Sequence, residues 1–191
     1  MNLFEKMEEY AKENYVPIAR KANIDFLKNI INEENLYDIL ELGSAIGYSA
    51  ICMASANDKV KVTTIERDVS LYDEAVKNIR EFNMENRINI ILDDIFNVDI
   101  KGKFDLIFID AAKAQYIKFF EKVRPFLKEN GIIISDNIEL LDLQRLTKSK
   151  KSKKLVEKMQ DYKKYLIELE DYDTKFLNIG DGFAITRKKI K

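Results

Sequence analysis

The sequence predicts an α/β fold, in the form of a doubly wound, mostly parallel seven-stranded sheet with an antiparallel C-terminal hairpin. Five short apolar runs alternate with segments of helical periodicity, and such uninterrupted runs are typical of parallel strands covered on both faces. Each of the five runs ends on or near an acidic residue. Two further strand-like segments, joined by Gly180-Asp181, indicate the hairpin, because a two-residue turn joins antiparallel strands.

The composition limits the class of protein. A chain of 191 residues is expected to form one domain, here divided into a helical cap at 1–35 and a core at 36–191. With 32 basic and 33 acidic residues, the net charge of −1 argues against a globally basic nucleic-acid binder but allows a local basic patch. No apolar run is long enough to span a membrane, and the N-terminus lacks the apolar core of a signal peptide. We therefore expect a cytoplasmic protein.

The absence of histidine restricts the chemistry further. It excludes Ser–His and Cys–His catalysis and any histidine-ligated metal. The single cysteine, Cys52, lies in an apolar segment and is expected to be a small buried residue that forms no disulfide within the chain. Any metal must be held by oxygen, which favours a hard cation such as Mg²⁺.

The elements follow from periodicity and from residues typical of helix ends. Apolar residues at helical spacing predict helices at 3–13 and 18–32, interrupted by Pro17. The later helices are expected at 50–56, at 70–84 with Ser70 as its cap, at 116–127 with Asn130-Gly131 as its stop, and at 155–169. Strands are expected at 38–42, 60–66, 88–92, 104–109, 132–135, 174–179 and 182–187.

The turn after the first strand carries Gly43 and Gly47. Glycine there would let a ligand lie against the backbone, and the following helix start offers unpaired N–H groups. Glycines at such turns also serve packing, and the spacing differs from the G-x-G-x-x-G of dinucleotide binders. The glycines alone are therefore weak evidence of a ligand site.

Acidic residues at the strand ends point to a cofactor. Ligands of open α/β sheets bind beyond the carboxyl ends of the strands, where Glu41, Glu66 and Asp94 are predicted to lie. Glu66 follows the glycine turn by about twenty residues, the distance at which doubly wound folds place an acid on ribose hydroxyls. Asp94 could face the base of the same ligand, so Glu66 and Asp94 suggest an adenosine-containing cofactor. The alternative for Glu66 is a surface charge beside Arg67.

Asp110, Asp136 and Asn137 follow the fourth and fifth strands. If those strands are neighbours, the three side chains converge and offer three oxygen donors, as Mg²⁺ prefers. The alternative is that Asp136-Asn137 only turns the chain, as such residues often do. Lys113 could reach the same centre from the next helix, and otherwise it is an ordinary exposed lysine.

A basic run follows the fifth strand. A solvated loop is the usual meaning of such a run. The functional alternative is a patch that contacts phosphates of a nucleic acid. Its residues are Arg145, Lys148, Lys150, Lys151, Lys153 and Lys154.

The ordered motifs together resemble one known family, the cation-dependent O-methyltransferases that use S-adenosylmethionine and include the catechol and caffeoyl-CoA enzymes. Nearly the whole chain is similar, and the bacterial branch that methylates 5-hydroxyuridine in tRNA is closest. Two N-terminal segments also resemble that branch, namely Glu9-Tyr10-Ala11 and Val16-Pro17-Ile18. The motifs are Ile39-Leu40-Glu41-Leu42-Gly43-Ser44-Ala45-Ile46-Gly47-Tyr48-Ser49, Thr64-Ile65-Glu66-Arg67, Phe108-Ile109-Asp110-Ala111-Ala112-Lys113-Ala114-Gln115-Tyr116, Ser135-Asp136-Asn137 and Gly180-Asp181-Gly182.

The resemblance implies a Rossmann-like class I methyltransferase fold and a set of site residues. Metal ligation falls to Asp110, Asp136 and Asn137, and Lys113 matches the catalytic lysine, with Asp110 beside it. The cofactor residues expected on this basis, together with those at the glycine turn, are Ala19, Glu41, Gly43, Gly47, Ser49, Glu66, Asp94, Ile95 and Asp110. Glu139-Leu140-Leu141-Asp142 replaces a glycine-containing loop of the family, so the wall facing the substrate differs.

The leading hypothesis is a Mg²⁺-dependent O-methyltransferase acting on 5-hydroxyuridine at the wobble position of tRNA, with the basic run on the anticodon loop. The alternative enzyme is a catechol-type O-methyltransferase of small molecules. A nucleotide- or RNA-binding module without catalysis would leave the grouping of Asp110, Asp136 and Asn137 unexplained. A nicotinamide dehydrogenase would need a different glycine spacing. The resemblance further implies a homodimer, and we expect no membrane partner.

Overall fold

The computed structural model describes residues 2–139 and 150–189. Within these ranges the helices are α1 Leu3–Glu13, α2 Lys21–Glu34, α3 Tyr48–Ala54, α4 Val69–Glu81, α5 Tyr116–Val123 and α6 Lys150–Glu168. The strands are β1 Asp38–Leu42, β2 Lys61–Glu66, β3 Ile88–Leu92, β4 Phe104–Ile109, β5 Leu127–Ser135, β6 Tyr172–Leu177 and β7 Phe183–Lys188. Two 3-10 helices, Lys113–Gln115 and Arg124–Phe126, flank α5. None of the described helices has the length and apolar character to cross a bilayer.

The chain divides into two compact units, Met1–Ile100 and Lys101–Lys191. The first unit contributes β3-β2-β1, which pair in parallel. The second contributes β4-β5-β7-β6, in which β4 and β5 are parallel and β7 is antiparallel to both of its neighbours. These are the seven strands of one sheet. The predicted fold class is confirmed, whereas the assignment of 1–191 to one domain stays a prediction.

The core of the first unit is built from α2, β1 and α3. Leu27, Ile39 and Ile51 are completely buried, and each such side chain contributes roughly 1.5–3 kcal/mol relative to an exposed one. The first helix begins at the predicted position because Asn2 and Glu5 form a capping box, in which each side chain accepts from the other's backbone N–H.

Three helix starts in this unit differ from the prediction, and the first is α2, which begins at Lys21 and not at residue 18. Asp68, not Ser70, caps α4: its carboxylate accepts from the backbone N–H groups of Ser70 at 2.9 Å and Leu71 at 3.1 Å. An acid suits this place because it also meets the positive end of the helix dipole. The small helix α3 begins two residues earlier than predicted, directly after Gly47, whose φ of 81° is left-handed. A Cβ there would lie 3.3 Å from the Cβ of Ala75, so packing on α4 also requires glycine.

The helix predicted at 116–127 ends at Val123, and Asn130-Gly131 does not stop it. Pro125 lies in the following 3-10 helix, where its missing N–H cannot continue the α-helical pattern. Both Asn130 and Gly131 belong to β5, which is longer than predicted. At Gly131 a Cβ would lie 2.9 Å from the carbonyl oxygen of Asp105, where the β4–β5 register is irregular. Close approach of two backbones therefore explains this glycine.

The C-terminal hairpin is antiparallel as predicted, but its loop is longer than the two-residue turn at Gly180-Asp181. It spans residues 178–182, with left-handed φ angles of 55° at Gly180 and 86° at Gly182. The longer loop pairs with the segment after β5: Ile138 N–H donates to the Gly182 carbonyl at 3.2 Å, and Glu139 N–H donates to the Asp181 carbonyl at 2.9 Å. The loop thus supports the chain immediately after Asp136 and Asn137.

We predict that Gly131→Ala lowers the free energy of unfolding by about 1–3 kcal/mol, because the added methyl would overlap backbone oxygens that cannot move independently. Urea denaturation followed by circular dichroism measures this. Glu129→Ala, an exposed change on the same strand, serves as the control and should shift stability by less than about 0.5 kcal/mol. Equal stability of the two variants would contradict the close approach.

Candidate cofactor and metal sites

Glu41 is a buried carboxyl group in β1. It is completely inaccessible, and its two oxygens accept from the hydroxyls of Ser49 at 2.5 Å and Thr64 at 2.6 Å. Burial raises its pKa from the ordinary 4.5 to about 7; the two hydrogen bonds oppose this rise, and the nearby Glu66 charge adds to it. The geometry therefore assigns Glu41 to holding Ser49 on the first turn of α3. Its prediction as a direct cofactor contact stays untested.

The Gly43–Gly47 turn is held to β2. The N–H groups of Gly43 and Ser44 donate to the Ile65 carbonyl at 3.0 and 3.3 Å, and Gly47 N–H donates to the Ser44 carbonyl at 2.7 Å. The Ser44 side chain is buried, yet its hydroxyl has no hydrogen-bond partner within the described parts of the chain. An unsatisfied buried polar group of this kind calls for an explanation, and a polar ligand at the turn supplies one.

Glu66 ends β2 and is not a free surface charge. Its carboxylate accepts from three backbone N–H groups: Ala45 at 2.9 Å, Arg67 at 2.8 Å and Asp68 at 2.9 Å. A carboxylate has roughly four lone-pair positions, so this arrangement fixes the group and leaves one for a ligand hydroxyl. Glu66 is therefore more than a surface charge beside Arg67, whose guanidinium lies 3.7 Å from a carboxylate oxygen of Asp94.

Asp94 and Ile95 form the turn after β3. The Asp94 carboxylate accepts from Phe96 N–H at 2.9 Å, while Ile95 is buried. Ala19 lies half-buried in the extended segment before α2. All the predicted cofactor residues except Asp110 belong to the first unit. Their contact with a cofactor stays a prediction.

Asp110, Asp136 and Asn137 come together in the second unit. The Asn137 side-chain amide donates to an Asp110 oxygen at 3.3 Å, and the Asp136 carboxylate accepts from the Asn137 backbone N–H at 2.6 Å. The condition for their convergence, adjacent fourth and fifth strands, is met by the parallel β4–β5 pair. Asn137 also has a left-handed φ of 57°, so the expected turn is present as well.

The donor set fits a hard cation. It combines two carboxylates with the amide of Asn137. Rotation of this amide by about 180° around its Cβ–Cγ bond makes its oxygen, and not its nitrogen, face Asp110. The described residues contain no group of three or more His, Cys, Asp or Glu side chains suited to a metal, so any ligation here depends on Asn137 as the third donor. Metal binding by these residues stays a prediction.

Lys113 opens the 3-10 helix that follows Asp110, and its side chain is half-buried. This turn is tied to α6 by a hydrogen bond of 3.3 Å from the Lys158 ammonium to the Ala114 carbonyl. Lys113 thus lies on the same short segment as a predicted metal ligand, and its catalytic role stays a prediction.

A family model described as O-methyltransferase matches residues 2–189. The chain belongs to the O-methyltransferase family. This confirms the resemblance at the level of the family and leaves the tRNA branch as a hypothesis.

Three relatives illustrate the similarity. A Staphylococcus aureus crystal structure, described as a candidate caffeoyl-CoA O-methyltransferase, is 39% identical, covers 99% of this chain and 93% of its own, and has a TM-score of 0.89. Tapetum-specific methyltransferase 1 of Arabidopsis thaliana is 28% identical over 190 residues, which is 92% of this chain and 78% of its own length. The SAH-bound Podospora anserina methyltransferase PaMTH1 is 20% identical with a TM-score of 0.89, over 100% of this chain and 89% of its own, and shows the same fold.

The basic run of this methyltransferase is only partly described. Arg145 and Lys148 lie outside the described residues. From Lys150 onward the run is helical and not a loop, since α6 begins there and not at Leu155. Lys150, Lys153 and Lys154 are exposed at the start of this helix. Of the segment that departs from the family pattern, Glu139 is described and forms a 2.5 Å ion pair with Lys163.

Sequence reasoning missed two groups of supporting residues. Thr64 lies opposite Glu41 in the β1–β2 register and hydrogen-bonds to it. A polar residue within an apolar strand was the available signal. The hydrogen bonds of Tyr116 and Tyr162 were missed as well, since their hydroxyls bond to the Asp136 carbonyl and the Ser135 hydroxyl, respectively. No local sequence signal identifies such partners.

We predict a stability change with pH that is specific to Glu41. Between pH 4.5 and about 7 the folded chain retains a proton on Glu41 that the unfolded chain has lost. The contribution is fully present below pH 4.5 and is lost as the pH rises through 7, a change of about 3 kcal/mol at most. Glu41→Gln removes this titration, so the variant should gain stability relative to wild type from pH 5 to pH 8.

Urea denaturation at several pH values measures the difference. Glu85→Gln, a change at an exposed carboxylate, should follow the wild-type profile. If the Glu41→Gln profile also parallels wild type, Glu41 is not protonated in the folded chain and this account of the buried group is wrong.

Proposed function

We propose that this chain is an S-adenosylmethionine- and divalent-cation-dependent O-methyltransferase that acts on 5-hydroxyuridine at the tRNA wobble position. The observation that carries the proposal is the meeting of Asp110, Asp136 and Asn137 at the ends of β4 and β5. The turn at Asp136-Asn137 does not by itself require the Asp110 carboxylate beside it, whereas a cation that activates a hydroxyl group would use all three side chains.

The methyl donor is supported by the first unit. PaMTH1, which shares the fold, is SAH-bound, and SAH is what remains after S-adenosylmethionine has given up its methyl group. In this chain the Glu66 carboxylate is held by three backbone donors with one acceptor position left over, which suits a ribose hydroxyl. The unpartnered Ser44 hydroxyl, with Ser49 held by Glu41, adds polar groups at the same turn.

The chemistry needs an acceptor oxygen that is a stronger nucleophile than a neutral hydroxyl. Asp110, Asp136 and Asn137 would hold a cation that, when bound, supplies a Lewis acid favouring ionisation of the acceptor. We assign Lys113 the role of accepting or stabilising the proton that leaves that hydroxyl. The new oxygen–carbon bond then forms as the sulfur–carbon bond of the donor breaks, and alignment of the two accounts for much of the rate.

The RNA substrate is supported by the start of α6. Three exposed lysines, Lys150, Lys153 and Lys154, form a local basic surface on a chain whose net charge is only −1. Anticodon-loop bases are unpaired, so such a base can enter a pocket while phosphates contact the lysines. A 5-hydroxyuracil offers two adjacent oxygens, its 4-carbonyl and 5-hydroxyl, to a cation site.

The second candidate is a small-molecule, catechol-type O-methyltransferase. The observation that favours it is the name of the 39% identical Staphylococcus aureus relative, which refers to caffeoyl-CoA. A catechol also presents two adjacent oxygens, so the three oxygen ligands alone do not separate the candidates. For a free catechol the basic start of α6 has no part in substrate binding, whereas the phosphates of a CoA thioester could contact it.

We predict that the purified chain transfers labelled methyl from S-adenosylmethionine to total tRNA that lacks wobble methylation, with nucleoside analysis locating the label on 5-hydroxyuridine. Changing Lys150, Lys153 and Lys154 together to Gln should weaken tRNA binding and make it less dependent on salt. Each lost phosphate contact removes about 0.7 from the slope of log affinity against log salt concentration.

A charge-matched variant controls for net charge. Lys12, Lys61 and Lys175 are exposed lysines elsewhere on the chain, and changing all three to Gln removes the same charge. This variant should keep the wild-type salt slope. Labelling of a catechol but not of tRNA, or equal effects of the two triple variants, would favour the small-molecule enzyme.

We predict that a chelator abolishes methyl transfer and that added Mg²⁺ restores it. Binding of S-adenosylmethionine, measured by equilibrium dialysis, should persist in the chelator, because the cofactor residues other than Asp110 lie outside the proposed ligand set. Transfer that continues at full rate after exhaustive chelation would contradict a cation-dependent mechanism.

A further inference from the structure

Tyr116 is the first residue of α5, and its side chain is 1% exposed. Its hydroxyl donates a buried hydrogen bond of 3.1 Å to the backbone carbonyl of Asp136. We propose that Tyr116 is a positioning residue for the cation site: it fixes the backbone at Asp136 and thereby holds Asp136 and Asn137 in the arrangement that binds the ion. This inference rests on the proposed function, since it concerns the same ligands.

The backbone at Asp136 is where the chain leaves the sheet. Asp136 N–H makes a ladder-like bond of 3.0 Å to the Ile109 carbonyl, and the antiparallel β5–β7 pairing reaches only to Ser135. The next residue, Asn137, is left-handed. The Asp136 carbonyl belongs to the peptide that joins the end of the strand to this left-handed residue. The Tyr116 hydroxyl therefore restrains the peptide that joins the two predicted ligands. Leaving a buried carbonyl without its donor costs roughly 1–3 kcal/mol.

Tyr116 is itself held by a second tyrosine. Its ring meets the ring of Tyr162 edge-on, with centroids 5.3 Å apart and planes at 82°. Tyr162 comes from α6 and shares a 2.6 Å hydrogen bond with the Ser135 hydroxyl. Two helices therefore fasten two successive residues of the strand end. Only one of these residues, Asp136, is a predicted ligand.

This arrangement supplies a matched pair of variants. Tyr116→Phe and Tyr162→Phe each remove one buried hydroxyl and keep the aromatic ring, so the edge-on packing remains. Each removes one hydrogen bond: the bond to the Asp136 carbonyl in the first variant and the bond to the Ser135 hydroxyl in the second. A general loss of packing would affect both variants alike. An effect on the ligand geometry would appear in the first alone.

The experiment measures Mn²⁺ binding to the full chain without cofactor or methyl acceptor. Mn²⁺ accepts the same oxygen ligands as Mg²⁺, and electron paramagnetic resonance reports the free ion. Tyr116→Phe should weaken Mn²⁺ binding by about 10-fold or more, the usual effect of removing a partner that orients a metal ligand. Tyr162→Phe should remain close to wild type. Urea unfolding of both variants establishes that each is folded and how much stability each has lost.

The Asp110→Ala variant tests where the ion binds, and so separates the proposed cation site from the proposed positioning role of Tyr116. If wild type binds Mn²⁺ and Asp110→Ala does not, the ion site is where we place it. Equal binding by Tyr116→Phe and wild type, or equal losses in both tyrosine variants, would then overturn the positioning role while the proposed function stands. Failure of wild type to bind Mn²⁺, or undiminished binding by Asp110→Ala, would overturn the cation site itself.

Discussion

The parallel register of β4 and β5 is the constraint on which the candidate cation site depends. Ile109 is paired with Ser135, and the next hydrogen bond joins Asp136 N–H to the Ile109 carbonyl. Asp110 and Asp136 therefore leave the sheet at the same edge. A shift of one residue would turn every side chain of a strand to its other face. The irregular step in β4 near Gly131 lies at the opposite end of the pair, so it does not disturb this edge.

A similar constraint acts in the first unit, where the polar group lies inside the sheet. The β1–β2 register places Glu41 opposite Thr64, and α3 brings Ser49 to the same carboxyl group. Burial of a carboxyl is tolerated when its oxygens are bonded and it retains its proton, which is the state that its raised pKa of about 7 favours. The stability given up at higher pH accompanies the hydrogen bond that holds the Ser49 hydroxyl. Strain and cost of this kind are typical of functional sites.

Much of the fold could be predicted because its signals are local, and so could the positions of the acidic residues at the strand ends. An apolar run followed by an acid identifies a strand and its end without knowledge of its neighbours. The cap at Asp68 was missed because Ser70 is an equally good capping residue type, and only the geometry decides between them. Gly131 was misread since its reason is the carbonyl of Asp105 on another strand. Tyr116 was missed for the same reason: its partner lies in another element.

The choice between an RNA and a small molecule turns on what α6 contributes. Its first turns carry exposed lysines, and Lys158 on the same helix binds the carbonyl of Ala114, next to Lys113. At 1.5 Å per residue, Lys150 and Lys158 are roughly 12 Å apart along the helix, about two nucleotide steps of an extended strand. A backbone bound at the start of α6 would thus be within a short distance of the turn that carries the proposed catalytic lysine. A free catechol has no phosphate to use that surface, whereas a CoA thioester has. The lysines therefore discriminate between an RNA and a free catechol, which the metal ligands alone do not.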